Sequence, residues 1–186
     1  MSDSSLQLGP GTLLIAPPMM DDPNFRRAVV LLCEHGEEGS FGLVLNRMLE
    51  LELRDVLDEA EFAADLLSLG GPVQPNTLHV LHRQANLEEA VTVSDGVYWS
   101  GDFERIIEQV RLGQAPEGEF RFFLGYAGWG AGQLEQELSH DSWIVTPVRA
   151  DEVFAVETEK LWRHVLRRMG GEYAILANFP TDPRMN

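Results

Sequence analysis

Six consecutive apolar residues at positions 28–33, Ala-Val-Val-Leu-Leu-Cys, most constrain what this chain can fold into. Such a run has no polar face to turn toward water, and its valine and leucine content is typical of a strand covered on both faces. We therefore predict a central strand there. Turn-forming residues at 35–40 and a second apolar run at 41–45 follow, which predicts a hairpin between the two runs.

Strands and helices alternate along the remainder of the sequence. Short apolar runs predict strands at 11–16, 78–82, 91–99, 120–124 and 143–148. Apolar residues at helical spacing predict helices at 52–67, 102–113, 133–138 and 161–169. Recurring glycines predict a loop at 125–132. Because no linker rich in Pro, Gly or Ser divides the chain, we expect a single domain over residues 1–186.

The charge balance and the cysteine content narrow the classes of partner. The chain has 14 basic and 30 acidic residues, a net charge of −16 at pH 7, so we expect no nucleic-acid partner. Cys33 is the one cysteine, which excludes an internal disulfide, and the five histidines lack a metal-ligand spacing. Since no signal-like or membrane-length apolar segment occurs, we expect a cytoplasmic protein with no membrane partner. We also expect no metal and no cofactor.

Four sequence blocks stand out for their content and order. They are Asp-Pro-Asn-Phe-Arg-Arg at 22–27, Gly-Leu-Val-Leu-Asn-Arg at 42–47, Gly-Gly-Pro-Val at 70–73 and Gly-Tyr-Ala-Gly-Trp-Gly-Ala-Gly-Gln-Leu-Glu at 125–135. Together they resemble the AlgH/YqgE family of bacterial proteins over nearly the whole chain. The resemblance implies one α+β domain with a mixed, largely antiparallel sheet flanked by helices. It implies no activity, because the family is functionally uncharacterised and carries only a transcriptional-regulator label.

The glycine-rich segment at 125–132 is where we predict a ligand. Glycines let backbone N–H groups converge, and the helix start that follows adds partial positive charge, so a phosphate or carboxylate is the expected guest. An Asn-Arg pair after the strand at 41–45 is suited to clamp such an anion. The predicted ligand-binding residues are His35, Asn46, Arg47, Gly128, Trp129, Gly130 and Gln133. The alternative, which we favour, is that the glycines only permit close packing of a strand against a helix and that Trp129 is a core or rim aromatic.

Three interpretations of function remain open from the residues. We favour a non-enzymatic regulatory or binding module whose partner is a protein or a small anionic ligand. Cys33 and His35 stand two apart on a predicted strand and would share a face, which allows a thiol or hydrolase-type enzyme. A cysteine that closes an apolar run is more typical of an inert, buried thiol. The basic positions of the last helix allow direct DNA contact, which the acidic net charge disfavours: Lys160, Arg163, Arg167 and Arg168.

Overall fold

The computed structural model describes residues 7–61 and 65–181. The strands in these ranges are β1 Thr12–Ile15, β2 Val29–Gly36, β3 Gly39–Val44, β4 Met48–Glu52, β5 Leu66–Leu69, β6 Val73–His82, β7 Val91–Ser94, β8 Val97–Trp99, β9 Phe120–Gly130 and β10 Ile144–Pro147. The helices are α1 Leu53–Val56, α2 Phe103–Arg111, α3 Gln133–Ser139, α4 Ala150–Phe154, α5 Thr158–Met169 and α6 Gly171–Leu176. None of these helices is long and apolar enough to cross a membrane.

The strands form one curled sheet that is centred on β9. Eight of them follow the order β10-β1-β2-β3-β9-β6-β8-β7, and each is antiparallel to its neighbours. β4 pairs antiparallel with β5, and β5 lies parallel to β9 beside Phe123 and Leu124. The prediction of an α+β fold with a mixed, largely antiparallel sheet is therefore confirmed.

The central strand β2 is covered on both faces, as its apolar run predicts. Leu31 and Cys33 point into a cluster that includes Leu161 and Trp162 of α5. Their neighbours Val30 and Leu32 point into a second cluster with Trp129 of β9 and Leu134 of α3. Because alternate side chains of a strand leave opposite faces, an uninterrupted apolar run fits this two-sided burial.

The prediction of a glycine loop at 125–132 is wrong, because β9 continues to Gly130. Its last four residues pair with β3, with Trp129 opposite Ser40 and Gly128 opposite Phe41. The backbone forms these pairs whatever the side chain, so glycine does not end a strand whose edge already has a partner. Instead Gly125 allows close approach, since a Cβ there would lie 2.5 Å from the carbonyl oxygen of Gly71.

The predicted helix at 52–67 is also wrong outside α1, apart from its positions 62–64, which lie outside the described residues. α1 ends at Val56, a short 3₁₀ turn spans Asp58–Ala60, and Leu66–Leu69 is strand β5. Strand β4, which the sequence did not predict, supplies one edge partner for β5 and β9 supplies the other. The helical spacing of the apolar residues was overridden by this sheet pairing, which no local pattern encodes.

A buried ion pair fastens the helices to the sheet. Glu152 of α4 is fully buried and accepts two hydrogen bonds from Arg168 of α5, at 2.5 and 3.1 Å. The same carboxylate accepts the backbone N–H of Arg149 at 2.9 Å. Arg168 also donates to the Thr146 hydroxyl and to the Pro147 carbonyl of β10. One guanidinium thus joins α4, α5 and an edge strand.

Replacing Arg168 with methionine should lower the free energy of unfolding by about 3–5 kcal/mol, because the Glu152 carboxylate would stay buried without its cation. Urea unfolding followed by tryptophan fluorescence measures the change. In the double variant Glu152→Gln/Arg168→Met the amide still accepts from Arg149 and carries no charge. We expect it to recover roughly half of the loss, and a double variant less stable than Arg168→Met would contradict this account.

Candidate functional site

The β2–β3 hairpin and the end of β9 bring part of the predicted site together. His35 pairs with Ser40 across the hairpin, and Ser40 pairs with Trp129 of β9, so the three side chains share one face of the sheet. The His35 ring lies 2.8 Å from the Ser40 hydroxyl and 3.5 Å from the Glu135 carboxylate of α3. The histidine is therefore held between the hairpin and the start of α3.

The carboxylate of Glu137 in α3 accepts hydrogen bonds from three side chains of this region. One of its oxygens accepts the indole N–H of Trp129 at 3.0 Å and that of Trp143 at 2.8 Å. The other accepts from the Gln133 amide at 3.1 Å, and the Gln133 oxygen in turn accepts the backbone N–H of Gly130 at 3.0 Å. The donors that the sequence offered to an anion are thus bonded to neighbouring groups of the same chain.

Trp129 is a core residue with only 6% of its surface exposed. Its ring lies 6.4 Å from Phe25 and 6.2 Å from Trp143, measured between centroids. Phe25 also meets Trp143 edge to face at 5.5 Å. The three aromatic rings pack against one another on this face of the sheet. Trp129 is therefore a core aromatic, one of the two positions that the close-packing alternative gave it.

Asn46 and Arg47 lie toward the other end of β3. Asn46 is six residues beyond Ser40, which corresponds to about 20 Å along an extended chain. Its amide accepts the N–H of Val29 at 2.9 Å and donates to the Arg27 carbonyl at 2.8 Å, while Arg47 donates to the Arg26 carbonyl. Burial lowers the pKa of Arg47. The structure joins this pair to the segment before β2 and not directly to Trp129, and its ligand-binding role stays a prediction.

Cys33 and His35 face opposite sides of the sheet. A β-bulge follows Leu32, which pairs with Gly42, so that Glu34 rather than Cys33 lies opposite Phe41. Cys33 points into the cluster under α5, whereas His35 points toward α3. The prediction that the two share a face was wrong, because a bulge adds one residue and reverses the alternation.

Sequence reasoning missed a cleft that contains Arg121. Its guanidinium donates to the Leu45 and Val153 carbonyls at 2.7 and 2.9 Å and to the Ser68 hydroxyl at 2.9 Å. It also lies over the Phe123 ring, 4.9 Å from the centroid. Although the side chain retains some exposed surface, burial lowers the pKa of Arg121 to about 10.

The cleft has a volume of about 340 Å³ and mixed walls. Phe120, Phe122 and Leu66 give it apolar surface, and Thr158 stands at the first turn of α5. α5 begins without a side-chain cap, so the N–H groups of its first turn add partial positive charge to this end of the cleft. The rim carries the carboxylates of Asp65 and Glu157. The signal in the sequence was a charged residue inside the apolar run at 120–124.

A family model described as AlgH-like (DUF179) matches residues 13–174, a span that contains all four sequence blocks. The UPF0301 protein of Cytophaga hutchinsonii is 44% identical over 178 residues, covering 95% of this chain and 98% of that protein. The UPF0301 protein CT0663 of Chlorobaculum tepidum is 43% identical over 180 residues, covering 96% of each. The chain is thus similar to these proteins along nearly its full length.

Two solved structures are similar in fold. The solution structure of the AlgH protein from Pseudomonas aeruginosa matches with a TM-score of 0.74 at 31% identity, covering 97% of this chain and 98% of that one. A crystal structure of a protein from Corynebacterium diphtheriae matches with a TM-score of 0.76 at 24% identity, covering 93% of each chain. At that identity the second match shows the fold alone.

Cys33 in the folded protein should react with a small thiol reagent at neutral pH only as fast as the chain unfolds. The thiol is fully buried, and burial raises its pKa, so the reactive thiolate is both enclosed and disfavoured. The measurement is the rate of thiol modification in native buffer compared with the rate in urea. Rapid modification in native buffer would contradict the buried position and revive a nucleophilic role.

The same raised pKa predicts a dependence of stability on pH. The unfolded chain releases the thiol proton near pH 8.5, whereas the folded chain keeps it. The contribution of Cys33 to stability is therefore fully present below that pH and is lost as the pH rises, by up to about 1.4 kcal/mol per pH unit. Urea titrations from neutral to alkaline pH should show this loss relative to Cys33→Ala, and parallel curves for the two proteins would contradict it.

Proposed function

This chain belongs to the AlgH-like family, and we propose that it works as a non-catalytic binding module that takes a small anionic ligand in the Arg121 cleft. One observation carries the proposal. Among residues 7–61 and 65–181, the guanidinium of Arg121 forms no ion pair, and its bonds go to two carbonyls and one hydroxyl. A positive charge thus lies within a cleft, and no carboxylate in the described part of the chain is bonded to it.

The energetics favour an anion at this place. Burying a charge is costly unless an opposite charge or several hydrogen bonds offset the lost hydration. The neutral acceptors around Arg121 offset part of this cost. The lowered pKa of Arg121 reflects the part of the desolvation cost that they do not offset. A carboxylate or phosphate would supply the missing charge and accept paired N–H groups from the planar guanidinium.

The walls of the cleft restrict the kind of anion. Phe120, Phe122 and Leu66 suit an apolar or aromatic body next to the charged group. The first turn of α5 provides a second favourable environment for one negative group. Asp65 and Glu157 on the rim oppose a ligand with several negative charges, although Glu157 is paired with Lys160 at 2.7 Å. The ligand class that fits is a small monoanion with an apolar portion.

The ligand class is the anion predicted from the sequence, but its place is the Arg121 cleft and not the glycine-rich segment at 125–132. The N–H groups of Gly130, Gln133 and Trp129 already have acceptors within the chain, whereas Arg121 has no anionic one among the described residues. Most of the seven residues predicted from the sequence then serve to hold the sheet and α3 together, while Asn46 and Arg47 hold the segment before β2. A regulatory role would act through the bound ligand, because the net charge of −16 opposes direct contact with duplex DNA.

Titration calorimetry with benzenesulfonate and phenylacetate, two monoanions with an aromatic body, tests the proposal, with benzyl alcohol and phenethylamine as the neutral and cationic matches. We expect saturable binding of the two anions only. Thr158→Glu should weaken it at least about tenfold, roughly 1.4 kcal/mol, because a negative charge enters the cleft. A glutamate at the start of α5 favours the helix, so the variant should fold.

Matched variants separate binding from folding. Thr158→Gln changes size like Thr158→Glu without the charge and should bind nearly as well as the parent chain. Arg121→Met should abolish anion binding, and Arg167→Met, on the exposed face of α5, should leave it unchanged. Equal binding of all four probes, or no heat with any of them at millimolar concentration, would reject the anion site.

A further inference from the structure

A groove with an apolar floor runs along α2 on a different part of the surface. Leu57, Phe103 and Ile107 line a cavity of about 450 Å³ there. Leu57 and Phe103 also line an adjoining cavity of about 250 Å³, whose other walls include Leu78 of β6 and Leu124 of β9. The two cavities therefore adjoin at Leu57 and Phe103, and together we call them the groove; they share no lining residue with the Arg121 cleft.

The groove exposes large apolar side chains. Val56 at its edge is 42% exposed and Phe103 is 36% exposed. Ile107, one helical turn after Phe103, lines the same groove with only 7% of its surface exposed, and its neighbour Ile106 is fully buried in the core. A stripe of apolar side chains in a depression is the surface that accepts the apolar face of a helix.

The rim of the groove is predominantly acidic. Glu104 and Glu108 stand one turn apart on α2, and Glu59 faces them from the 3₁₀ turn. Arg111 is the one basic side chain among the lining residues of both cavities. Glu104 and Glu108 follow Phe103 and Ile107 by one position each, so the negative charges run alongside the apolar stripe.

We propose that this groove docks a basic amphipathic helix of a partner protein. The apolar floor would bury the leucine-type face of such a helix, and Glu59, Glu104 and Glu108 would pair with lysine or arginine at its flanks. Charge complementarity selects this occupant over two others. A second copy of this chain carries −16, and an anionic membrane surface is also negative, so both are repelled by the rim.

Fluorescence anisotropy with a labelled synthetic peptide tests the docking. The probe is a leucine–lysine peptide of about 14 residues, roughly four turns, with leucine on one face. The full-length protein should bind it saturably and more weakly as salt rises. A leucine–glutamate peptide of the same pattern, and a leucine–lysine peptide with scrambled order, should bind at least about tenfold more weakly. Equal binding of the scrambled peptide would overturn the proposal, because it would reduce the effect to net charge.

Charge-reversal variants locate the contact. Glu104→Lys/Glu108→Lys should weaken binding at least about tenfold. Glu37→Lys/Glu38→Lys changes the net charge by the same amount at the exposed tip of the β2–β3 hairpin and should change it much less. Equal weakening by the two double variants would overturn the assignment to the groove. Phe103→Gln should also weaken binding while thermal melting confirms that the variant is folded, and unchanged binding would count against the apolar floor.

Discussion

Backbone pairing along both edges of β9 is the constraint on which the rest of the structure depends. One edge is shared by β5 and β3, which pair with its first and second halves, and the other edge belongs to β6. A strand held on both sides cannot shift its register without moving every side chain to the other face. Arg121, Phe123 and Trp129 therefore have fixed directions, and the cleft, the core and the aromatic cluster follow from them.

Close approach of backbone to backbone makes this pairing achievable. Gly71, before β6, and Gly125, within β9, lie so near each other's strands that a Cβ on either would meet a carbonyl oxygen at 2.5 Å or less. Gly125, in the block at 125–135, thus allows close contact within the sheet where the sequence suggested an anion-binding loop. Because glycine has no side chain, the backbones of neighbouring segments of the sheet can come into contact there.

Two partly buried guanidinium groups, those of Arg168 and Arg121, have opposite kinds of partner. Arg168 is paired with the fully buried Glu152, and the pair is completed by bonds to β10 and to the backbone of Arg149. Arg121 bonds only to neutral acceptors among the described residues and lines a cleft that opens to solvent. The pair of Arg168 with Glu152 holds the helices in place. At Arg121 a bound anion would offset the desolvation cost that the neutral acceptors leave. This contrast is why the proposed ligand site lies at Arg121.

The sequence by itself determined the strand that is covered on both faces and the helices whose apolar residues recur at helical spacing. The apolar run at 28–33 becomes the doubly covered β2, and the helical spacing after Asp102 and around Leu161 becomes α2 and α5, because such patterns depend only on neighbours along the chain. Tertiary structure decided β4 and β5, the extension of β9 through its glycines, and the bulge that separates Cys33 from His35. The first two rest on hydrogen bonds to residues distant in the chain, and the bulge rests on the register between β2 and β3. A local pattern carries no record of such partners, and the Arg121 cleft, assembled from β9, β5, α4 and α5, is visible only once they have met.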